Sequence, residues 1–243
     1  MAAFAYTDSP DPIRADLIAA HRAAWQHIAA PGTWLTGAQR VAVADETRRA
    51  RGCALCGERK HALSPNAVRG EHAHGGGLPP AMVEAVHRVT TDAARLSERW
   101  LQGLLGQGLG VEQYVEALAV AVIAISIDRF HHALGLPLEP LPLARSGEPT
   151  RERPDGIVEG EAWVPMLDAR RAGAAIGLRV PSTPFVIRAL SLVPAEVRAW
   201  RAVSAAQYLS EDRMLGFEKF RALDRSQIEL VAGRVSALNE CFY

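Results

Sequence analysis

The sequence is poor in aromatic residues and contains no apolar stretch long enough to cross a membrane. Phe, Trp and Tyr make up only 6% of the 243 residues, while alanine is abundant, and this balance favours helix over sheet. The longest apolar stretch is VEALAVAVIAISID, residues 115–128, which is shorter than the ~20 residues of a membrane-spanning helix. We therefore expect no membrane partner, and we expect this stretch to form a buried helix.

An excess of charge of either sign is also absent. The chain has 27 basic and 27 acidic side chains, and its arginines are spread along the sequence. A balanced chain of this kind lacks the basic surface that nucleic acid or an anionic membrane attracts. We therefore expect no nucleic-acid partner.

Motifs of several enzyme classes are missing. The sequence has no GxGxxG or GxxxxGK[ST] loop, no G-x-S-x-G turn, and neither HExxH nor HxxEH. These absences argue against nucleotide-dependent chemistry, against a serine hydrolase of the G-x-S-x-G type and against a metalloprotease.

Cysteine is scarce, with three residues in the chain, too few for a disulfide framework at this length. The N-terminal stretch MAAFAYTDSPDPIRADL lacks the basic region and apolar run of a secretory signal peptide. We therefore expect a cytoplasmic, reducing compartment. Cys53 and Cys56 form a C-x-x-C pair, which in that compartment is more typical of catalysis or metal binding than of a structural disulfide.

Apolar residues at helical spacing predict an N-terminal helical unit over residues 1–135. Its predicted helices cover four stretches: 11–30, Thr36 to about Arg51, about 80–106 and 111–134. The cysteine pair follows the second of these helices. A loop rich in glycine and proline, residues 64–80, comes after it.

A proline-rich connector, residues 136–167, separates this unit from a second helical unit over 168–243. Six prolines without a helical period fall within 136–165, and we expect this segment to be strapped across the protein or across a neighbouring subunit. In the second unit, Pro194 marks one helix start and Asp224 is the expected cap of another.

A faint internal repeat links the two units. LTGAQRVAVADETRRARGC, residues 35–53, and LDRSQIELVAGRVSALNEC, residues 223–241, share Leu, Gln, Val, Ala and Cys at matching positions without gaps. We interpret them as a degraded repeat. The alternative, two amphipathic helices that merely share a period, stays open.

The sequence contains a capped helix, the cysteine pair, a following histidine and the later stretch YVEALAVAVIAISIDRFHHALG. In this order they resemble the alkylhydroperoxidase D / carboxymuconolactone decarboxylase superfamily. LDRSQIELVAGRVSALNECFY is similar to the active-site helix of the same family. The resemblance covers about 35–135 and 185–243. It implies an all-α protein with two related helical units of the alkylhydroperoxidase D-like type, joined by the proline-rich crossover, and a homodimer or larger homo-oligomer.

The resemblance also implies a thiol-dependent peroxidase or disulfide reductase. In it, Cys56 attacks the substrate, Cys53 resolves the intermediate as a disulfide, and His61 draws the proton from Cys56. The glutamate position of the family is Val41 here, so Glu46 is our candidate general base. The implied substrate is a small hydroperoxide or disulfide, with a possible protein electron donor and no cofactor.

Two alternatives stay open for the cysteine pair. Cys53 and Cys56 have the spacing of half a zinc site, and His61, His72 and His74 follow within reach. The chain would then be a zinc-binding structural or scaffold module. The other alternative is a catalytically degenerate member of the family with a vestigial site.

Two further residues are left without a definite role. His87 is on the inner stripe of its predicted helix, and we interpret it as a core histidine, with the alternative that it faces the cysteines. Cys241 is interpreted as a small buried apolar residue or a redox remnant.

Overall fold

The computed structural model describes residues 4–177, 183–209 and 222–238. Internal contacts divide the chain into a first unit, residues 1–203, and a second unit, residues 204–243. These bounds differ from those of the two helical units predicted from the sequence, and the terms first and second unit refer to them from here on. The described residues are mostly helical, with ten helices and one small antiparallel sheet. This confirms the all-α prediction. Among these helices none has both the length and the apolar character that a membrane span requires. Cys241 lies outside the described residues.

Six helices make up the N-terminal part of the first unit: α1 (Ala15–Ala29), α2 (Gly37–Ala50), α3 (Ala54–His61), α4 (Pro80–Thr91), α5 (Glu98–Leu105) and α6 (Val111–Ala133). The later elements are β1 (Ile157–Val158), β2 (Met166–Leu167), α7 (Ala169–Ile176), α8 (Phe185–Arg188), α9 (Pro194–Gln207) and α10 (Arg225–Leu238). Strands β1 and β2 pair with each other.

Helix α6 is the centre of the core, as its apolar sequence predicts. Val115, Val120, Ile123 and Ile127 are completely buried, and α6 packs against α1, α2 and α4. Because α2 and α4 also pack against each other, the core fixes the relative position of the two helices that flank the cysteine pair in sequence.

Helix α2 begins where the sequence predicts it. The Thr36 side chain accepts a hydrogen bond from the Gln39 backbone, and the Gln39 side chain accepts one from the Thr36 backbone, which together form a capping box. The helix ends at Ala50, and Cys53 is already the N-cap residue of α3. Only Arg51 and Gly52 lie between α2 and the first sulfur.

The single helix predicted over about 80–106 is wrong, because Asp92 interrupts it. The Asp92 backbone leaves the helical region, with φ −150° and ψ 39°. Its buried carboxylate accepts hydrogen bonds from Arg88 and Arg95. A new helix, α5, then begins after Ser97, whose side chain caps it. The break lets α5 fold back on α4.

The connector after α6 lies along the end of α1 and the loop that follows it. Its backbone donates one hydrogen bond to the last residue of α1, from Arg145 N to Ala29 O at 2.8 Å, and two to the loop, from Thr150 N to Gly32 O at 3.3 Å and from Arg151 N to Thr33 O at 2.8 Å. These bonds give an otherwise irregular segment a defined path within the first unit.

A buried ion-pair cluster joins α9 to the N-terminal helices. Arg40 of α2 contacts Glu116 of α6 and Glu196 of α9, and all three side chains are completely buried. His27 of α1 completes the cluster through a 2.9 Å contact with Glu196. Helix α9 begins at Pro194, as predicted.

The described part of the second unit is dominated by α10. Asp224 and Gln227 exchange hydrogen bonds between side chain and backbone, both at 2.9 Å. Asp224 therefore caps α10, as its position in the sequence predicts.

Candidate metal centre

The two cysteines lie at the N-terminal end of α3. Cys53 is the N-cap residue and Cys56 is in the first turn, and both are buried and unbridged. The C-x-x-C spacing brings both sulfurs to the same end of the helix, with their Sγ atoms no more than 4.8 Å apart. Both thiols therefore face one small volume beneath α3.

Two histidines from other parts of the first unit enter the same volume. His72 comes from the loop between α3 and α4, and its Nδ1 lies 3.5 Å from the Sγ of Cys53 and 3.5 Å from the Sγ of Cys56. His87 comes from α4, and its Nδ1 lies 3.3 Å from the Sγ of Cys56. The four donor atoms all lie within 4.8 Å of one another.

These separations match the edges of a tetrahedral zinc site. With zinc–sulfur bonds of about 2.3 Å and zinc–nitrogen bonds of about 2.0 Å, tetrahedral geometry puts sulfur and nitrogen about 3.5 Å apart. The three sulfur–nitrogen distances given above are 3.3–3.5 Å. One ion at the centre of the four donor atoms would fit these three distances, and the remaining pairs of donor atoms are no more than 4.8 Å apart.

The second ring nitrogen of each imidazole contacts a carboxylate. The Nε2 of His72 lies 2.7 Å from a carboxylate oxygen of Glu84, and the Nε2 of His87 lies 3.0 Å from one of Glu46. A metal-binding histidine typically donates its second ring N–H to a carboxylate, which fixes the ring orientation. Both histidines therefore direct Nδ1 towards the sulfurs.

The two carboxylates are themselves held in place. Arg59 and Trp100 each donate to Glu84, at 2.8 and 3.2 Å. Glu46 is almost completely buried and also accepts a 2.5 Å hydrogen bond from the backbone of Gly75. Through Gly75, the loop that carries His72 is attached to α2.

The surroundings of Cys53 favour its thiolate. Burial alone would raise the pKa of this thiol, but hydrogen bonds from the backbone of Cys56, from His72 and from the backbone of Ala73 outweigh it and lower the pKa from 9.0 to about 7. A fraction of the thiol is therefore ionised near neutral pH, which both metal binding and nucleophilic attack require.

The two histidines differ in charge when no metal is considered. Burial opposes protonation of His72, but its contacts with Cys56, Glu84 and Cys53 raise its pKa to about 10. Burial lowers the pKa of His87, against the opposing effect of Glu46. These shifts favour a protonated His72 beside a partly ionised Cys53 and disfavour protonation of His87.

The structure brings some of the predicted site residues together and leaves others apart. Cys53, Cys56 and Glu46 belong to the cluster, Glu46 through its contact with His87. His61 ends α3 with an exposed side chain whose Nδ1 contacts the backbone oxygen of Gly57. His61 is therefore not part of the cluster.

The zinc alternative named one histidine that the structure places in the cluster and two that it does not. His72 is among the four donors. His74 is exposed and accepts a hydrogen bond from the backbone of Gly76, and His61 lies at the far end of α3. The fourth donor is His87, which we interpreted mainly as a core histidine.

Sequence reasoning missed the residues that act across long separations. Glu84 and Arg59 received no role, although they orient His72. One signal was available in the sequence: Glu84 and His87 are three residues apart on one helix. They therefore lie next to each other on the same face, so a place for His87 among the cysteines would have put Glu84 near them as well.

No known protein-family model, curated protein or solved structure matches this chain.

Proposed function

We propose that this chain binds one zinc ion through Cys53, Cys56, His72 and His87. The single observation that carries the proposal is that four sulfur and nitrogen donors converge while the second nitrogen of each imidazole contacts a carboxylate. Two thiolates and two imidazoles in a tetrahedron suit zinc better than the oxygen-seeking cations. Two thiolates also neutralise the ion's double charge, which a buried site requires.

The proposed centre acts as a structural element. Cys53, Leu55 and Cys56 form a small buried cluster of their own, separate from the main core. Among the described residues, Val68 is the one partly buried apolar residue packed against it. So small a cluster buries little apolar surface to hold α3 and the long loop before α4. A zinc ion bound to α3, to the loop and to α4 would join all three, because metal binding contributes directly to folding free energy.

Metal content tests this proposal. We expect the purified protein to contain one zinc per chain and Cys56→Ser and His87→Ala to lose most of it. His61→Ala is the matched control, since it removes an imidazole from the same region outside the cluster. The proposal is wrong if the wild type lacks zinc after refolding in its presence, or if His61→Ala loses as much metal as His87→Ala.

A second candidate is thiol redox chemistry at Cys53 and Cys56, favoured by the lowered pKa of Cys53. A cysteine thiolate would attack the terminal oxygen of an organic hydroperoxide, the O–O bond would break, and a sulfenic acid would form. The departing alkoxide would take a proton from the His72 imidazolium and leave as the alcohol. The resulting sulfenic acid would condense with the second thiol, forming a disulfide and releasing water. A thiol reductant would then regenerate the pair. The resemblance to the alkylhydroperoxidase D superfamily supports this candidate.

Thiol titration separates the two candidates. If the pair is redox-active, one equivalent of an organic hydroperoxide removes two thiols from the wild type and forms the Cys53–Cys56 disulfide, while Cys56→Ser forms none. If zinc occupies the site, the thiols resist the same treatment until a chelator removes the metal. The two-unit arrangement, the homo-oligomer and the electron donor remain predictions in either case.

A further inference from the structure

A second feature of the first unit is a cavity of about 650 Å³ beside α4 and α5. Its size is in the range of ligand-binding pockets. His72 and Glu84 form part of its wall, whereas neither cysteine lines it. A molecule in the cavity would therefore be separated from the sulfurs by the His72–Glu84 pair.

The inner wall of the cavity is apolar. Leu78, Val83 and Leu104 are buried side chains that line it, and Trp100 adds a half-buried aromatic face. The Trp100 ring is fixed, because its Nε1 donates to Glu84. These side chains offer apolar contact area to a hydrocarbon chain or a ring. Their one hydrogen-bonding group is the Nε1 of Trp100, which already donates to Glu84.

The lining of the cavity also carries a surplus of positive charge. It includes three arginines, Arg59, Arg69 and Arg99, against the two carboxylates of Glu71 and Glu84. Arg59 and Glu84 neutralise each other in a 2.8 Å ion pair. Within the described part of the chain, neither Arg69 nor Arg99 has a hydrogen bond or ion pair, so their guanidinium groups are available to a ligand.

We propose that this cavity binds an amphipathic anion, a molecule with one carboxylate or phosphate head and an apolar body. The head would bind Arg69 and Arg99, which suit oxyanions because the guanidinium group presents paired N–H donors. The body would pack on Trp100, Leu104 and their apolar neighbours.

Gly103 offers a way to block the cavity without disturbing the fold. It lines the cavity within α5, and a Cβ added there would have no neighbouring atom within 4 Å. Gly103→Leu should therefore project its side chain into the open space of the cavity. Gly233→Leu is the matched control, since Gly233 is a helical glycine of α10 with equally open surroundings.

Calorimetric titration with ligands of equal chain length tests the proposal. We expect saturable one-to-one binding of decanoate or decyl phosphate, binding of decanol at least tenfold weaker, and none of decyltrimethylammonium. The preference between the two anions identifies the head group. The double variant Arg69→Gln/Arg99→Gln should weaken anion binding at least tenfold, because two charge-assisted contacts are lost, and should leave decanol unaffected. Gly103→Leu should abolish binding of every ligand, and Gly233→Leu of none.

Three results would overturn the proposal. They are absence of saturable anion binding to the wild type, decanol binding as tightly as decanoate, and unchanged anion affinity in the double arginine variant. Circular dichroism of each variant controls for folding. Because both arginines are exposed, the double variant keeps the test decisive even if Gly103→Leu fails to fold.

Discussion

At the scale of single residues, we expect the proposed metal centre to depend on the carboxylates behind the histidines as much as on the ligands. Glu46 orients His87 and also holds Gly75 of the loop that carries His72. Glu46→Gln keeps the size of the side chain but removes its charge. We expect it to weaken zinc affinity roughly 10- to 100-fold, the typical effect of losing such a partner, as measured by competition with a chelator of known affinity.

Asp45→Asn is the matched control for that measurement. Asp45 adjoins Glu46 in α2, but its carboxylate pairs with Arg49 near the surface, where an ion pair contributes little. The interpretation of Glu46 fails if both variants bind zinc as tightly as the wild type does, or if both weaken it equally.

We expect His21 to give the protein a dependence on pH that is separate from the proposed metal centre. Its Nδ1 accepts a 2.5 Å hydrogen bond from the hydroxyl of Tyr6. Burial, assisted by His131, lowers the pKa of His21 to about 4. Below pH ~6.5 His21 becomes protonated in the unfolded chain, whereas in the folded chain it stays neutral until about pH 4. Protonation therefore stabilises the unfolded state as the pH falls through this window. The free energy of unfolding should decrease by up to about 3 kcal/mol between pH ~6.5 and about 4.

Urea unfolding at pH values between ~7 and ~4.5 checks this expectation. The wild type should lose stability towards acid faster than His21→Gln, which cannot take up the proton, because the carboxylates that also titrate are common to both proteins. Parallel stability profiles for the two would show that His21 is not the group responsible.

Some site residues were predictable and others were not, for reasons of geometry. Cys53 and Cys56 are recognisable because a C-x-x-C pair needs only local helix geometry. His61 fails to join them because five residues along a helix correspond to a rotation of about 140° from Cys56, which directs its side chain away from the cluster. His87 is 31 residues beyond Cys56, and only the packing of α4 against α2 and α3 brings it there.

At the scale of elements, helix starts were predictable and helix interruptions were not. Thr36 and Asp224 cap their helices through hydrogen bonds to residues three positions away, so the signal is contained in the local sequence. At the break, Asp92 accepts hydrogen bonds from Arg88 and Arg95. Arg95 also donates to the backbone oxygens at the end of α3. Because α3 is distant in sequence, this contact cannot be recognised from the residues around Asp92.

Glycine substitutions test how the elements pack. Gly37 is the first residue of α2, and a Cβ there would lie 2.4 Å from the backbone oxygen of Ala29 and 2.6 Å from that of Arg145. Gly37→Ala should therefore destabilise the protein by about 1–3 kcal/mol, because α1 or the connector must shift. Urea unfolding measures this loss.

Gly103→Ala is the control with the opposite expected sign. It also replaces a helical glycine, but into open space, so it should stabilise the protein by about 0.5–1 kcal/mol through helix propensity. Equal effects of the two substitutions would contradict the close approach of the connector to α2.

At the scale of the whole molecule, the described first unit combines a large helical core with a small peripheral cluster. The core around α6 consists of apolar side chains from several helices that bury one another. The cluster around the cysteines brings together α3, the following loop and α4 while burying few apolar residues. In our account zinc supplies the binding energy that this part of the molecule does not obtain from apolar packing.

X-ray absorption at the zinc edge of the purified protein tests this account most directly, because it reports which atoms bind the metal. We predict two sulfur atoms at about 2.3 Å and two nitrogen atoms at about 2.0 Å, with the sulfur contribution halved in Cys56→Ser protein reloaded with zinc. A spectrum with only nitrogen and oxygen neighbours, or a protein that holds no zinc at all, would contradict the proposed centre.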